Sequence, residues 1–473
     1  MPDSPASPPR GSSKRPRHGQ PSPSLPDDVI VKKILTRVPA AAAVRFRTVC
    51  RAWHAALTSD HFVQAHHRAF RADTQPEIVF FAPRPASGGF STAFYRCKLE
   101  LTTQQNGSSL DEAAASASAR ELVTVDNLRP SDLVLSGTRP CHGLTLLLQI
   151  KPNASAYHVC NLSTGEHVSL PPCTPARTWI PYIGAPCYVL SSTGLCFDPV
   201  AGEHKVAYGL RSGGWRPFAG QVPPHAAKGL DAGRPPVFLN GCFYWHIDME
   251  SKKSITPDQS ILSLTVDTEQ FGWVHPPEER KHRVFHLTEL DGSLCVVVDL
   301  RLTVEEYELW TWPSGSSSPP SWSLRCRISL ASLPGPMRDD LGRGIRMLPL
   351  ASSFGGKILL ATSCHEVHAY DPERNSSDRV FSVDDFVNAP GEAVPLLNIA
   401  LYKESVTGVW HRPAAGDVSQ LLKMKIGSKS NMVARREGLG QRPKGFAVTP
   451  QLVQLMLRPA LEQYHSIVNN MYN

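Results

Sequence analysis

The sequence predicts a multi-domain chain with a small all-α unit at its front, a long all-β propeller of about six or seven blades, and a helical tail. Three observations carry this. Apolar residues recur at helical spacing over residues 23–70. From about 76 to 420, short apolar runs follow turn glycines at near-regular intervals. At 449–468 a Thr-Pro pair opens a second apolar rhythm.

The front comes first. Residues 1–22 are rich in Pro, Ser and basic residues and are expected to be disordered. "SKRPRH" (13–18) reads equally as a nuclear import signal or a solvated basic tail. In "LPDDVIVKKILTRVP" (25–39), Pro26 suits a first helical turn and Pro39 ends the run. Asp27 and Asp28 fall where a helix start favours anions. Phe46, Val49, Cys50, Trp53 and Leu57 then stand at i, i+3, i+4, i+7 and i+11, which predicts one narrow apolar stripe. A unit this small is marginal alone. It either packs on its own chain or is completed by a partner.

The middle follows a different rule. Gly143, Gly194, Gly241, Gly292 and Gly356 each precede or open an apolar run, at spacings of 51, 47, 51 and 64 residues. Many of these runs lead to a strand–polar turn–strand unit, such as "VCNLSTGEHVSL" and "AYDPERNSSDRVFSV". Asn and Asp fit such turns because their side chains bond the local backbone. A repeat of about 50 residues built of several strands describes a kelch-type blade, which buries its faces only against neighbouring blades. "EIVFFAPRP" (77–85) and "LLNIALYKESVTGVWH" (396–411) could open and close the ring. Residues 421–448 read as a basic flexible segment, and 449–473 as a helix docked on the ring or on a partner.

Charge and composition remove several function classes. The net charge is +7, but residues 1–20 carry +3 and residues 421–473 carry +6, so the middle is close to neutral. A nucleic-acid-binding domain carries a basic face, and none is expected here. The eleven cysteines include no C-x-x-C pair. No apolar run reaches the roughly 18 residues of a membrane span, and the N-terminus has no apolar signal core. Reduced thiols and a nuclear or cytosolic location are therefore expected.

No P-loop or nucleophile elbow is present. "CHEVHAY" (364–370) places His365 and His368 three apart in a strand-like run, where they face opposite sides, so it is not read as a metal site. Trp245, Trp273, Trp310 and Trp322 are read as core or inter-blade packing. No catalytic, cofactor-binding or metal-binding residue is assigned.

The front unit resembles the F-box. The residues are Leu25-Pro26-Asp27-Asp28, Ile34-Leu35-Thr36-Arg37-Val38-Pro39, Arg45 through Trp53 ("RFRTVCRAW"), Phe62 and His66. Ala40–Ala43 depart from the bulkier pattern of that family. The rest resembles the plant F-box-associated, kelch-like propellers, in stretches such as "GLCFDPVAGEHKV" and "LTELDGSLCVVVD". The resemblance implies a non-catalytic specificity subunit of an SCF-type cullin–RING ubiquitin ligase. Its F-box would dock on the Skp-type adaptor, and through it on the cullin, while propeller loops capture a protein substrate. The implied adaptor-binding residues are Leu25, Pro26, Ile30, Ile34, Leu35, Val38, Pro39, Val44, Val49, Cys50 and Trp53, with Leu35 and Trp53 expected to matter most. An F-box scaffold that delivers nothing for degradation is the alternative, and a propeller enzyme a third.

Overall fold

The computed structural model describes residues 29–433 except 72–75, 85–90, 100–117, 138, 150–155, 171–175, 181–184, 190–192, 208–218, 222, 224–234, 248–260, 281–283, 314–320, 343–346, 354–355, 363–364, 388–398, 410–423 and 427–430. The basic N-terminal segment, Leu25, Pro26 and the expected C-terminal helix lie outside the described residues.

The front unit is helical but less regular than its spacing suggests. Ile30–Ile34 form a π-helical turn that runs into a 3₁₀ turn at Leu35–Arg37. Val38 is extended (φ −84°, ψ 150°), as a residue before proline prefers. Pro39 then precedes α1 (Ala40–Phe46). A turn at 47–49 leads to α2 (Arg51–Thr58) and α3 (Asp60–Arg71). The stripe expected along one helix from Phe46 to Leu57 is therefore divided. Cys50 is extended, and its Sγ accepts the Trp53 N–H at 3.4 Å, which starts α2 afresh. Phe46 and Trp53 still meet, edge to face at 5.9 Å, but across a corner. Leu35, Ala40, Ala43, Leu57 and Phe62 make the core of this unit, together with Val406 from the far end of the chain.

The β region begins with β1 (Glu77–Arg84), β2 (Ser91–Lys98) and β3 (Ser118–Asp126). β4 (Leu133–Leu135), β5 (Thr145–Gln149), β6 (Ala156–Cys160) and β7 (His167–Ser169) form a second sheet. Two hairpins follow: β8 (Ala176–Ile180) with β9 (Ala185–Val189), and β10 (Gly194–Asp198) with β11 (Glu203–Ala207). A third sheet holds β12 (Val237–Leu239), β13 (Cys242–His246), β14 (Ile261–Thr265) and β15 (Gln270–Val274). A fourth holds β16 (Val284–Leu290), β17 (Ser293–Asp299), β18 (Glu306–Trp312) and β19 (Ser323–Ser329). Helix α4 (Gly335–Gly342) leads to the fifth: β20 (Met347–Ser353), β21 (Lys357–Thr362), β22 (Glu366–Asp371) and β23 (Ser376–Ser382). Finally β24 (Ile399–Tyr402) returns to pair with β1, with Ile399 opposite Phe80.

Apolar clusters fill every joint of a closed ring. Phe81 and Val123 meet Leu133 and Leu147 between the first and second sheets. Leu146 and Tyr157 meet Leu195, and Cys196 meets Phe243 and Trp245, so β10–β11 packs between the second and third sheets. Ile261 meets Val296 and Val298, and Tyr307 meets Ile358 and Leu360. Phe80 meets Phe381 at 5.0 Å, which joins the fifth sheet to the first. Successive residues of one strand enter opposite clusters, as the two-residue period of a strand requires. In β17, Cys295 and Val297 face one neighbour, Val296 and Val298 the other. Both faces are buried, which explains unbroken apolar runs such as "LCVVVDL".

Among the described residues, five sheets carry four or more strands, against the six or seven blades expected. Among the described residues no ladder joins β9 to β10, and the two hairpins stand as separate two-stranded sheets. Six residues of 421–448, read as a basic flexible segment, are described. Met424–Ile426 (β25) and Asn431–Val433 (β26) pair with the outer edge of β3. Basic side chains do not prevent the backbone from meeting an unpaired edge.

The turns follow the sequence reading in most places. Gly143, Gly241 and Gly292 have positive φ, each after a residue of positive φ (His142, Asn240, Asp291), which suits tight hairpins. Gly194 differs. It lies within β10, where an added Cβ would stand 2.4 Å from Pro236 Cγ and 2.6 Å from Phe243 Cε1, so it is small for packing. Asp198 Oδ1 accepts the N–H groups of Val200 and Ala201, and Asp371 Oδ1 those of Glu373 and Arg374. Those side chains close their turns as expected.

Candidate functional site

The expected docking residues separate into three groups by burial. Leu35 is 4% exposed and belongs to the core of the helical unit, so it has no surface to offer without opening that core. It was expected to be a main anchor, and its burial sets it apart from the exposed members of the set. Ile30, Val38, Val44 and Trp53 are half-buried, and Ile30, Val38 and Trp53 pack on that core from outside. Ile34, Pro39, Val49 and Cys50 are exposed, Ile34 at 46% and Val49 at 60%. The motif's last members are internal: Phe62 is buried, and His66 Nε2 donates to the Val38 carbonyl at 3.0 Å. Burial holds His66 below the ordinary imidazole value, although the Val38 bond and Glu404 pull it upward.

The helical unit sits on the ring through residues that sequence reasoning did not single out. After β24 the chain runs as an extended strap, 403–409. Val406 of this strap enters the helical core. Glu404 Oε1 accepts the Ala40 N–H at 2.6 Å, and Arg47 Nη2 donates to the Val406 carbonyl at 2.8 Å. Arg47 also lies 3.6 Å from Glu166 in the β6–β7 turn. Ala40 and Ala43, the departure from the bulkier pattern, are fully buried at this contact. No local pattern marks Glu404 or the strap, because their partners in the helical unit are more than 350 residues away.

Strand alternation fixes which end of the ring carries the unit. The β4–β5 turn, the β6–β7 turn and the exit of β24 lie at one end, and His142, Glu166 and the strap are all there. The β17–β18 turn (300–305) and α4 lie at the opposite end. Within that turn Arg301 donates to Asp299 at 2.7 Å and lies over the Tyr307 ring at 5.3 Å. The turn leaves Leu302 and Val304 in solvent, at 63% and 57% exposure.

His365 and His368 of the 364–370 run are both buried. His368 Nε2 stands 3.2 Å from Glu366 on β22, and His365 occupies the preceding turn. No group of three or more His, Cys, Asp or Glu side chains is arranged to hold a metal among the described residues. Trp245 and Trp273 pack in one inter-sheet cluster, Trp310 and Trp322 in the next.

Comparison with known proteins locates the motif. Residues 23–64 match the family model of the F-box domain. An F-box protein of Arabidopsis thaliana is 28% identical over 296 residues, covering 54% of this chain and 66% of its own length. A second, from the same plant, is 26% identical over 341 residues, covering 64% of this chain and 80% of its own. The chain thus spans just under two thirds of the first relative. A solved DUF4784 family protein from Bacteroides caccae has a TM-score of 0.31 at 8% identity, over 69% of this chain and 92% of that one. The chain carries an F-box domain at its N-terminus, and a β-propeller follows it.

Proposed function

We propose that this protein is a substrate-recognition subunit of an SCF-type cullin–RING ubiquitin ligase. Its F-box docks on a Skp-type adaptor, and its propeller captures a protein substrate. The observation that carries the reading is a split surface on the F-box. One side is buried against the strap through Ala40, Ala43 and Val406, yet Val29, Ile34 and Val49 remain exposed at 39%, 46% and 60%. A unit that merely capped its own ring would have little reason to leave large apolar side chains in water. The half-buried Trp53 and the exposed Cys50 and Pro39 extend the set.

Such a subunit makes and breaks no bond. It raises the concentration of substrate lysines near the ubiquitin-carrying enzyme, which is catalysis by proximity. The ring end opposite the F-box, where Leu302 and Val304 stand exposed in the β17–β18 turn, is where we place substrate capture.

The test is co-purification of the full chain with a Skp-type adaptor, wild type beside the double variant Ile34→Asp, Val49→Glu. Binding by the wild type and its loss in a variant of unchanged melting temperature is the expected result. Equal binding by both would overturn the docking surface, and no binding by either would overturn the ligase reading.

A further inference from the structure

We propose that the F-box is fixed to the ring by a polar clamp, and that Arg47 and Glu404 are positioning residues that set the direction in which a docked adaptor projects. The positioning role rests on the ligase reading; the clamp itself does not.

The clamp has two arms. In the first, Glu404, 11% exposed, uses both carboxylate oxygens. Oε1 accepts the Ala40 N–H, one of the groups a helix leaves unbonded at its start. Oε2 accepts Arg96 Nη1 at 2.9 Å, and Arg96 lies over the Tyr402 ring at 5.9 Å and within 3.7 Å of Glu77. The first turn of α1 is thus tied to β2, β1 and β24 through one side chain. In the second arm, Arg47 just beyond the end of α1 reaches the Val406 carbonyl and Glu166. Its side chain is 11% exposed. The two arms grip α1 at both ends, which fixes rotation as well as position.

The strap between them is itself anchored. Asn161 Nδ2 donates to the carbonyls of Ser405 and Thr407, both at 2.9 Å, and the Ser405 N–H bonds Ser163 Oγ at 3.1 Å. Ser405 lies so close to Gly143 that a Cβ there would stand 2.1 Å from the Ser405 Cβ. Burial of Val406 alone would hold the two domains together without fixing an angle, because apolar contact is non-directional. Hydrogen bonds to charged groups supply the direction. A ligase that works by proximity gains from a fixed angle, since a swinging arm dilutes substrate lysines over a larger volume.

The test uses the full chain and three variants. Ala40→Pro removes the N–H that Glu404 accepts. Proline is tolerated at a first helical position, and Pro39 (φ −54°, ψ 144°) already has the backbone that a following proline requires. Arg47→Ala removes the second arm. Glu404→Gln leaves one acceptor for two donors, since its amide can turn an oxygen to the Ala40 N–H or to Arg96 but not to both, and so weakens the first arm alone. Dyes at the exposed positions His61 and Glu373 report the F-box-to-ring distance by single-molecule energy transfer.

Wild type should give one narrow distance distribution, Glu404→Gln one of intermediate width, and Ala40→Pro with Arg47→Ala a broad one. A narrow distribution in that double variant overturns the clamp. In a reconstituted ligase, ubiquitin on the protein's own propeller lysines is then mapped by mass spectrometry at saturating adaptor. The double variant should bind adaptor as wild type does but spread modification over more lysines. An unchanged pattern overturns the positioning role. Absence of adaptor binding by the wild type overturns the ligase reading and that role with it, while the distance distributions still decide the clamp.

Discussion

Replacing Leu35 by alanine should open the F-box rather than simply weaken its docking. Leu35 is 4% exposed and packs with Ala40, Ala43, Leu57, Phe62 and Val406. Three buried carbons at about 0.8 kcal/mol each account for a little over 2 kcal/mol. Phe62 and Leu57 are themselves fully enclosed and cannot collapse freely into the gap, so a cavity term raises the cost to about 3–4 kcal/mol. Val49→Glu is the matched contrast. Val49 lies in the 47–49 turn at 60% exposure, and its loss should cost no more than about 0.5 kcal/mol. Hydrogen exchange of the α2 and α3 amides in the full chain separates the two. Leu35→Ala should speed exchange there on the order of a hundredfold or more, because each 1.4 kcal/mol or so is a factor of ten, and should leave the ring amides unchanged. Val49→Glu should leave exchange alone and abolish adaptor binding. If Leu35→Ala instead left exchange unchanged while abolishing binding, Leu35 would be a docking anchor and the argument from its burial would fail.

Two further outcomes follow from the ring. Gly194→Ala should lower the melting temperature by a destabilisation of about 1–3 kcal/mol, because the new methyl group meets Pro236 and Phe243 inside contact distance; an unchanged melting temperature would mean that this joint is loosely packed. Glu308 is 1% exposed, and burial pushes its carboxyl upward, but hydrogen bonds from Arg280, Trp310 and Arg327 outweigh this and hold it at about 2, below its ordinary 4.5. A carboxylate held low stabilises the fold fully above its unfolded value and loses that contribution as pH falls from about 4.5 toward 2. Acid unfolding curves of wild type and Glu308→Gln should therefore differ in slope in that window, with the variant flatter; parallel curves would show that Glu308 does not supply the pH dependence.

What the sequence determined by itself was local. Helical spacing, the prolines at 26 and 39 and the run from Arg45 to Trp53 identified the F-box, because such motifs lie within a few turns of chain. Turn glycines at 143, 241 and 292, and the turn-closing Asp198 and Asp371, were legible because hairpin chemistry is decided by two to four adjacent residues. Tertiary structure decided the rest. Spacing could not show that Leu35 is core while Val49 is free, since both satisfy the same motif and differ only in what folds over them. It misread Gly194 as a turn, because a glycine required for close packing and one required for positive φ look alike in sequence. It could not find the strap at 403–409 or the pairing of Glu404 with Ala40. Those contacts join the ends of a chain that must first close a ring through β24 and β1, and only that closure brings the strap beneath the F-box.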